Sequence, residues 1–499
     1  MVYARNMSEQ PEKPAVSDFR PEARSPRGFI DKRSAQIAIE RRLTATVSKV
    51  FEDFGFEALQ TPAFEYADAL GKFLPDSDRP NVGVFALQDD DDQWMALRYD
   101  LTAPLARFAA QNWETLPKPF RRYAFGPVWR NEKPGPGRLR EFMQCDADIV
   151  GSDRPEADAE MIALAVAGYK ALGVPVKIRI NNRKLLNGLL TSLGVSDAGQ
   201  QLGVLRAIDK LDRFGMKGVE LLLGAGRKDE SGDFTKGANL PAEAIQPVLD
   251  FVAASQGSPS RTEVLTRLSA VLANSPEGQA GVDDLARIHT AITAMGVSEE
   301  DAIFDPGVVR GLEYYTGPVF EAELLLETRD DKGNLVSMGS VGGGGRYDDL
   351  VARFTGEKTP ATGFSFGVSR LAAALALVEK QAAARGPIVI INFSEADMGE
   401  YFKLAAELRA EGLPAEVYLG RSGMKAQMKY ADRRLSPAAV MIGEDELKNG
   451  SVTIKDLDLG REMAMQISDN KAWREGRPGQ VTLPRADAIN HLKSIVENR

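Results

Sequence analysis

The chain has 499 residues, a net charge of −9, and 43% hydrophobic and 27% charged residues, the balance of an ordinary globular protein long enough for two to four domains. Its single cysteine, Cys145, excludes an internal disulfide framework and a thiolate zinc cluster, and its two histidines, His289 and His491, lie too far apart for a multi-histidine metal site. No apolar run approaches the roughly 20 residues of a membrane span, and residues 1–25 mix acids, bases and prolines, so they read as a disordered tail rather than a signal peptide, and the chain as cytoplasmic.

Residues 34–54 carry apolar side chains at helical spacing (Ile37, Leu43, Val47, Val50, Phe51) and are closed by Gly55. FEALQTPAFE, residues 56–65, reads as a strand broken by Pro62, which suits an edge or an interface. WMALRYDLTAPLARFAAQN, residues 94–112, passes from strand to helix and puts Asp100 and Thr102 at the turn. FRRYAFGPVWR and REFMQCDADIVG are alternating strands joined by NEKPGPGRL, a long hairpin loop of the kind that carries function on a rigid scaffold. VKIRINN is a further strand.

Residues 183–301 are helical in pattern, with a Gly/Ser/Asp-rich break at 224–237, and read as an insertion between two parts of one domain, 26–182 and 302–380. Strand signals return at 302–304 and 319–325, and ATGFSFGVSRLAAALALVE ends in an alanine-rich helix. QAAARG, residues 381–386, is a linker. In residues 387–499, PIVIINF, PAEVYL, AAVMIG and SVTIKDL alternate with amphipathic helices, the pattern of an α/β domain.

Local charge outweighs the sum. Residues 117–140 hold seven bases against one acid, Glu132. Such a patch can steer a polyanion, although a solvated loop would carry the same charge. Arg130 and Glu132 lie two apart at a strand end and face one side. An arginine fork suits phosphate, a carboxylate can accept from an adenine amino group, and Phe142 on the returning strand can stack on a purine. Followed by the basic hairpin, the arrangement resembles motif 2 of class II aminoacyl-tRNA synthetases. GFSFGVSRL, with Arg370 at a helix start, resembles their motif 3.

Phe142, Gln144, Asp146 and Asp148 share one strand face, near the turn that carries Asp100 and Thr102. Buried carboxylates are costly unless a cation pairs with them, and the ammonium group of an amino acid supplies one. RGLEYYTGPVFE, residues 310–321, gathers Arg310, Tyr314 and Tyr315 around a glycine, and VGGGGRYDD follows about twenty residues on. The glycine run is not a P-loop, since no Gly-Lys-Ser/Thr follows. Cys145, on the opposite strand face from Gln144, reads as a packed core thiol, and both histidines as helix residues without chemistry.

RGLEYYTGPVFE and GGGGRYDD resemble the histidine-specific signatures of histidyl-tRNA synthetases, and the resemblance extends over most of the chain. It implies an α+β fold: a class II synthetase-like catalytic domain on an antiparallel sheet with a mostly helical insertion, and a C-terminal α/β anticodon-binding-like domain. It implies ATP, with Mg2+ on its phosphates, L-histidine and tRNA(His) as ligands, and a homodimer through the strand around Pro62. Arg130, Glu132, Phe142, Arg310 and Arg370 would bind ATP, with Arg310 and Arg130 catalytic. Asp100, Thr102, Gln144, Asp148, Arg310, Tyr314 and Tyr315 would bind histidine; Asp146 is read as having no part. Aspartate at 100 and 148, where bacterial members often have glutamate, looks more like the eukaryotic branch. Lys133 and Arg138 on the hairpin loop, and Lys425, Lys429 and Arg433 in MKAQMKYADRR, would meet the tRNA, bases beside Tyr430 suiting single-stranded RNA. Two alternatives remain: the synthetase-like regulatory subunit of histidine biosynthesis, which lacks the C-terminal domain, and a class II ligase for threonine or proline.

Overall fold

The structure, a computed structural model, describes residues 20–70, 83–135, 138–228, 233–309, 315–326, 328–329, 335–336, 339–378, 385–464 and 479–497. The chain divides into two compact units, residues 1–378 and 379–499.

An eight-stranded mixed sheet organises the first unit. Its strands are β1 (Glu57–Ala58), β5 (Phe120–Trp129), β6 (Glu141–Val150), β7 (Val176–Asn182), β10 (Ala302–Phe304), β11 (Pro318–Leu324), β14 (Ser340–Arg346) and β15 (Ala361–Phe366). Smaller pairings account for β2 (Phe64–Tyr66), β3 (Ala86–Gln88) and β4 (Trp94–Leu97), for a hairpin of β8 (Gly226–Lys228) and β9 (Phe234–Lys236), and for β12 (Thr328–Arg329) with β13 (Leu335–Val336). The large sheet runs β1-β5-β6-β15-β14-β11-β7-β10; its six central strands are antiparallel and its two edge strands join in parallel.

Period-two alternation sorts the two faces of this sheet. Tyr123, Cys145, Ala147, Ile149 and Phe366 face a core that includes Leu43, Val47 and Phe51 of the helix Ser34–Asp53 and much of the helix Pro155–Leu172. Ring centroids there lie 5.6 Å apart for Phe51 and Tyr123, 5.8 Å for Phe51 and Phe366, and 4.7 Å for Tyr169 and Phe366. Phe142, Gln144, Asp146 and Asp148 are left for the opposite face.

The glycine run is itself a strand, which the sequence reading did not assign. At Gly344 a Cβ would stand 1.9 Å from the Gly363 carbonyl oxygen, so only glycine lets β14 and β15 approach there. Arg346, at the end of the run, is almost fully buried; its Nε donates to Asp158 at 3.0 Å and its other nitrogens to the carbonyls of Ser152 and Arg154, tying β14 to the start of the helix Pro155–Leu172.

Among the described residues, 183–301 hold six helices, from Arg183–Ser192 to Pro276–Ala294, and the predicted break at 224–237 contains the hairpin β8–β9. Their apolar residues, among them Leu189, Phe251 and Ile288, form one cluster with the core under the large sheet. The three-stranded sheet β2-β4-β3 is held by Arg107, which donates to both oxygens of Glu65 at 2.9 Å, and by buried Arg98, which donates to the carbonyls of Thr61 and Pro127.

The second unit is a mixed sheet of β16 (Ile388–Ile391), β17 (Ala415–Val417), β18 (Ala438–Met441), β19 (Ser451–Asp456) and β20 (Gln480–Pro484), in the order β17-β16-β18-β19-β20. Its apolar core joins Ile388, Ile390 and Val440 to Leu404 and Leu408 of the helix Met398–Ala410 and to Leu492 of the helix Arg485–Glu497.

Candidate active site

A cavity of about 500 Å³ opens on the polar face of the large sheet, within the range of small-molecule sites. Asp100, Thr102, Arg130, Glu132, Arg138, Phe142, Gln144, Asp148, Tyr315 and Arg370 all line it, ten residues singled out in the sequence. Asp146, read as taking no part, lines it as well. Arg310 and Tyr314 lie outside the described residues. Lys133 is exposed on the hairpin loop, and Lys425, Lys429 and Arg433 are exposed on the helix Met424–Arg433 of the second unit.

Phe142 and Asp148 stand six residues apart on β6, hence about 20 Å from one end of the site to the other. At the Phe142 end, the Arg130 guanidinium lies 5.1 Å from the Phe142 ring centroid, a cation–π contact, and its Nε donates to the Tyr99 carbonyl at 3.3 Å. Arg370, in the first turn of the helix Val368–Val378, donates to the Ser340 carbonyl. Ser369 accepts from the Met143 amide at 2.9 Å and donates to Glu40 at 2.8 Å, fixing that helix start against β6.

The Asp148 end is a buried polar cluster. Asp100 Oδ1 accepts the Thr102 and Ala103 amides at 3.1 and 2.9 Å, capping the helix Thr102–Asn112. Burial pushes the Asp100 carboxyl up, and those amides with Arg130 pull against it. Asp148 sits opposite Arg122 across β5 and β6, with Oδ2 at 2.8 Å from Arg122 Nη2, while Tyr347 donates to its Oδ1. Burial raises the Asp148 carboxyl too, against the pull of Arg122 and Tyr347.

Asp146 is pushed up to about 7, by burial first and then by the neighbouring Asp148, with the Ser365 hydroxyl opposing. Ser365 also accepts from Gln144 Nε2 at 2.7 Å. Oε1 of Gln144 and Oδ1 of Asp146 are buried with no hydrogen-bond partner among the described residues, a costly arrangement unless a donor arrives. Three carboxylates and a carbonyl oxygen thus converge where an ammonium group can pair with them.

Sequence reasoning missed Arg122, Tyr347 and Ser365. Arg122 was counted only as surface charge, yet it is 1% exposed. Hairpin register brings it to Asp148, and the long loop left that register open. Tyr347 follows the glycine strand, whose strand character went unread. Cys145 is fully buried, its thiol pushed up by burial, and His289 packs edge-on to Phe304 at 6.4 Å, both away from the cavity lining.

A largely antiparallel sheet thus carries a carboxylate-and-glutamine pocket beside an arginine pair on a hairpin and a helix start, the arrangement expected from the resemblance to class II aminoacyl-tRNA synthetases. A family model described as histidyl-tRNA synthetase matches residues 28–371, and one described as anticodon binding domain matches residues 387–474. The chain is 65% identical over 494 residues to the histidine–tRNA ligase of Caulobacter vibrioides, covering 98% of this chain and 99% of that one. It is 52% identical over 485 residues to that of Brucella suis biovar 1, covering 95% and 96%. Among solved structures, histidyl-tRNA synthetase from Nostoc sp. PCC 7120 matches with a TM-score of 0.71 at 28% identity, over 96% of this chain and 100% of that chain. The chain belongs to the histidyl-tRNA synthetase family.

Proposed function

We propose that this cavity holds histidine and ATP end to end and joins them as histidyl-adenylate. Family membership carries the overall reaction, histidine–tRNA ligation at the expense of ATP. The observation behind the site assignment is the segregation of its charge. Carboxylates and unpaired acceptor oxygens gather at the Asp148 end, and Arg130 and Arg370 at the Phe142 end.

Asp100, Thr102 and Gln144 take the α-ammonium group, and Asp148 with Tyr315 the imidazole. Tyr314, outside the described residues, joins this pocket on the resemblance alone. Phe142 stacks on the adenine, Glu132 accepts from its amino group, and Arg130 and Arg370 hold phosphates. Mg2+ would come with the triphosphate, held mainly by phosphate oxygens and water. Among the described residues no group of three or more His, Cys, Asp or Glu side chains could hold it, in keeping with an ion carried by the phosphates, whose charge it would neutralise.

The histidine carboxylate attacks the α-phosphorus, a P–O bond forms, and pyrophosphate leaves. No side-chain nucleophile takes part, so the protein contributes orientation and charge stabilisation. Arg310, also outside the described residues, is assigned the α-phosphate and the substrate carboxylate. The 3′ hydroxyl of tRNA(His) then attacks the adenylate carbonyl and AMP leaves. Lys133 and Arg138 on the hairpin loop meet the acceptor end, and Lys425, Lys429 and Arg433 the anticodon arm.

Residues 26–182 and 302–380 form the catalytic domain in this reading, 183–301 its insertion and 387–499 the anticodon-binding domain, with the activity in the cytoplasm. A second copy of the chain covers the groove formed by Pro62, Phe64, Tyr66, Met95 and Phe354, where Phe64 and Tyr66 are 40% and 56% exposed. Sedimentation velocity should give a dimer and Tyr66→Asp a shift towards monomer; a monomeric wild type would sink this part.

Histidine-dependent ATP–pyrophosphate exchange tests the core of the proposal. Arg310→Ala should slow single-turnover adenylate formation by about 10²-fold or more, the scale for one preorganised partner of a developing charge. Arg310→Lys should restore little, because the two-pronged geometry is lost. Exchange with threonine and not with histidine would overturn the assignment.

A further inference from the structure

We propose that Arg122 is the positioning residue that sets selectivity for the imidazole ring, by holding Asp148 and the Asp100 turn in one fixed relation. The proposal rests on the reading that Asp148 faces the imidazole.

Arg122 heads the fully buried side chains among the described residues, 1% exposed, on a strand face whose Phe120, Ala124 and Val128 pack in apolar clusters. Its Nη2 lies 2.8 Å from Asp148 Oδ2 and donates to the Leu101 carbonyl at 2.8 Å. Leu101 stands between Asp100 and Thr102, in the turn whose amides hold the Asp100 carboxylate. A single planar guanidinium therefore bridges the group assigned to the ring and the turn assigned to the ammonium.

Register explains why Asp148 has one orientation. Across β5–β6 it faces Arg122, and across β6–β15 it faces Gly363. A Cβ at Gly363 would stand 2.0 Å from Asp148 Oδ1, so that side is open for the carboxylate and for the Tyr347 hydroxyl. One oxygen is charge-paired and the other accepts a hydrogen bond from the phenol, and the remaining lone pairs can accept only from a donor placed in the cavity. An acceptor held this way prefers a ring bearing N–H, and an apolar ring of the same shape leaves it unpaired.

The Asp100 carboxylate keeps its Thr102 and Ala103 amides without Arg122, so loss of Arg122 should cost recognition of ring nitrogen and not recognition in general. In pyrophosphate exchange, Arg122→Met should raise the KM for histidine by at least about 30-fold, the lower range for removing one partner of a buried charge pair. The KM for ATP and the inhibition constant of β-(2-thienyl)alanine, which matches the ring in shape but lacks its nitrogens, should stay within about threefold. Arg122→Lys keeps the charge without the planar fork and should show the same split, reduced to about tenfold or less. This variant decides the matter if the methionine variant does not fold. In the Asp148→Asn background either change should add less than about threefold, since Arg122 acts through Asp148.

A parallel loss of histidine, ATP and thienylalanine binding, or full additivity with Asp148→Asn, would make Arg122 a general packing residue and overturn the proposal. Absence of histidine-dependent exchange in the unsubstituted protein would strike at the proposed function instead.

Discussion

Asp146 shows how strongly a position within the fold alters a single side chain. Its carboxyl sits in the low-dielectric floor of the cavity beside Asp148 and is pushed up to about 7. The folded protein thus holds this proton more tightly than the unfolded chain does. The associated stability is fully present below the unfolded aspartate range near pH 4 and is lost as pH rises through about 7. Thermal unfolding of the ligand-free protein should show Asp146→Asn gaining on wild type between pH 5 and pH 8, by an amount on the order of a few kcal/mol at most. A gap that does not change with pH would mean that Asp146 is ionised throughout. Gly363 gives a steric counterpart. Gly363→Ala puts a methyl 2.0 Å from Asp148 Oδ1, so the carboxylate must move. Histidine-dependent exchange should fall by about tenfold or more while the chain stays folded, since a displaced recognition group of about 1 Å already costs that much. Unchanged kinetics would show that Asp148 has room to spare.

At the scale of elements, the helix Met424–Arg433 carries Lys425, Lys429 and Arg433 outward and buries Gln427 and Ala431 inward. Gln427 fixes the helix by accepting the Asn392 amide at 2.8 Å and donating to the Asn392 and Ser422 carbonyls. Tyr430 stacks edge-on to Tyr418 at 5.2 Å and donates to Glu416 at 2.9 Å, so its ring is held in place at the helix surface. Replacing the three bases with alanine should leave pyrophosphate exchange intact and weaken tRNA binding. The slope of log affinity against log salt should flatten by about two, from three lost contacts to a single-stranded loop at about 0.7 each. An unaltered slope would move the RNA contact to another surface. The elements of the large sheet were legible in advance because alternation is written in the residues: both long strands of the hairpin, the strand VKIRINN and the helix 34–54 appear where the pattern puts them. The strand Ser340–Arg346 was not, because four glycines carry no polarity pattern and their pairing depends on β11 and β15.

At the scale of the molecule, the proposed function gives each of the two units its own set of ligands. Arg385 pairs with Asp458 at 2.9 Å and donates to the Val496 carbonyl, so the second unit already holds the chain at that point. A cut after Val378 therefore suits the boundary better than one after Arg385. The shortened protein retains every residue assigned to ATP and histidine and should keep histidine-dependent exchange, while aminoacylation falls steeply for want of the distal tRNA anchor. Loss of both activities in a folded fragment would show that the second unit is needed for activation itself.

By itself the sequence determined the family and most of the order of elements, and it named ten of the residues that line the cavity, because motifs and strand alternation are local properties of the chain. Asp100, Gln144, Asp148, Arg130 and Arg370 could all be named from spacing, strand position and resemblance to known motifs. What only the tertiary structure decided is how those groups hold one another. The pairing of Arg122 with Asp148, the phenol of Tyr347 on its other oxygen, and the sharing of Ser365 by Gln144 and Asp146 depend on the register of β5, β6 and β15. Register follows from packing of a whole sheet on its helices, and a one-residue slip would turn each of these side chains to the other face.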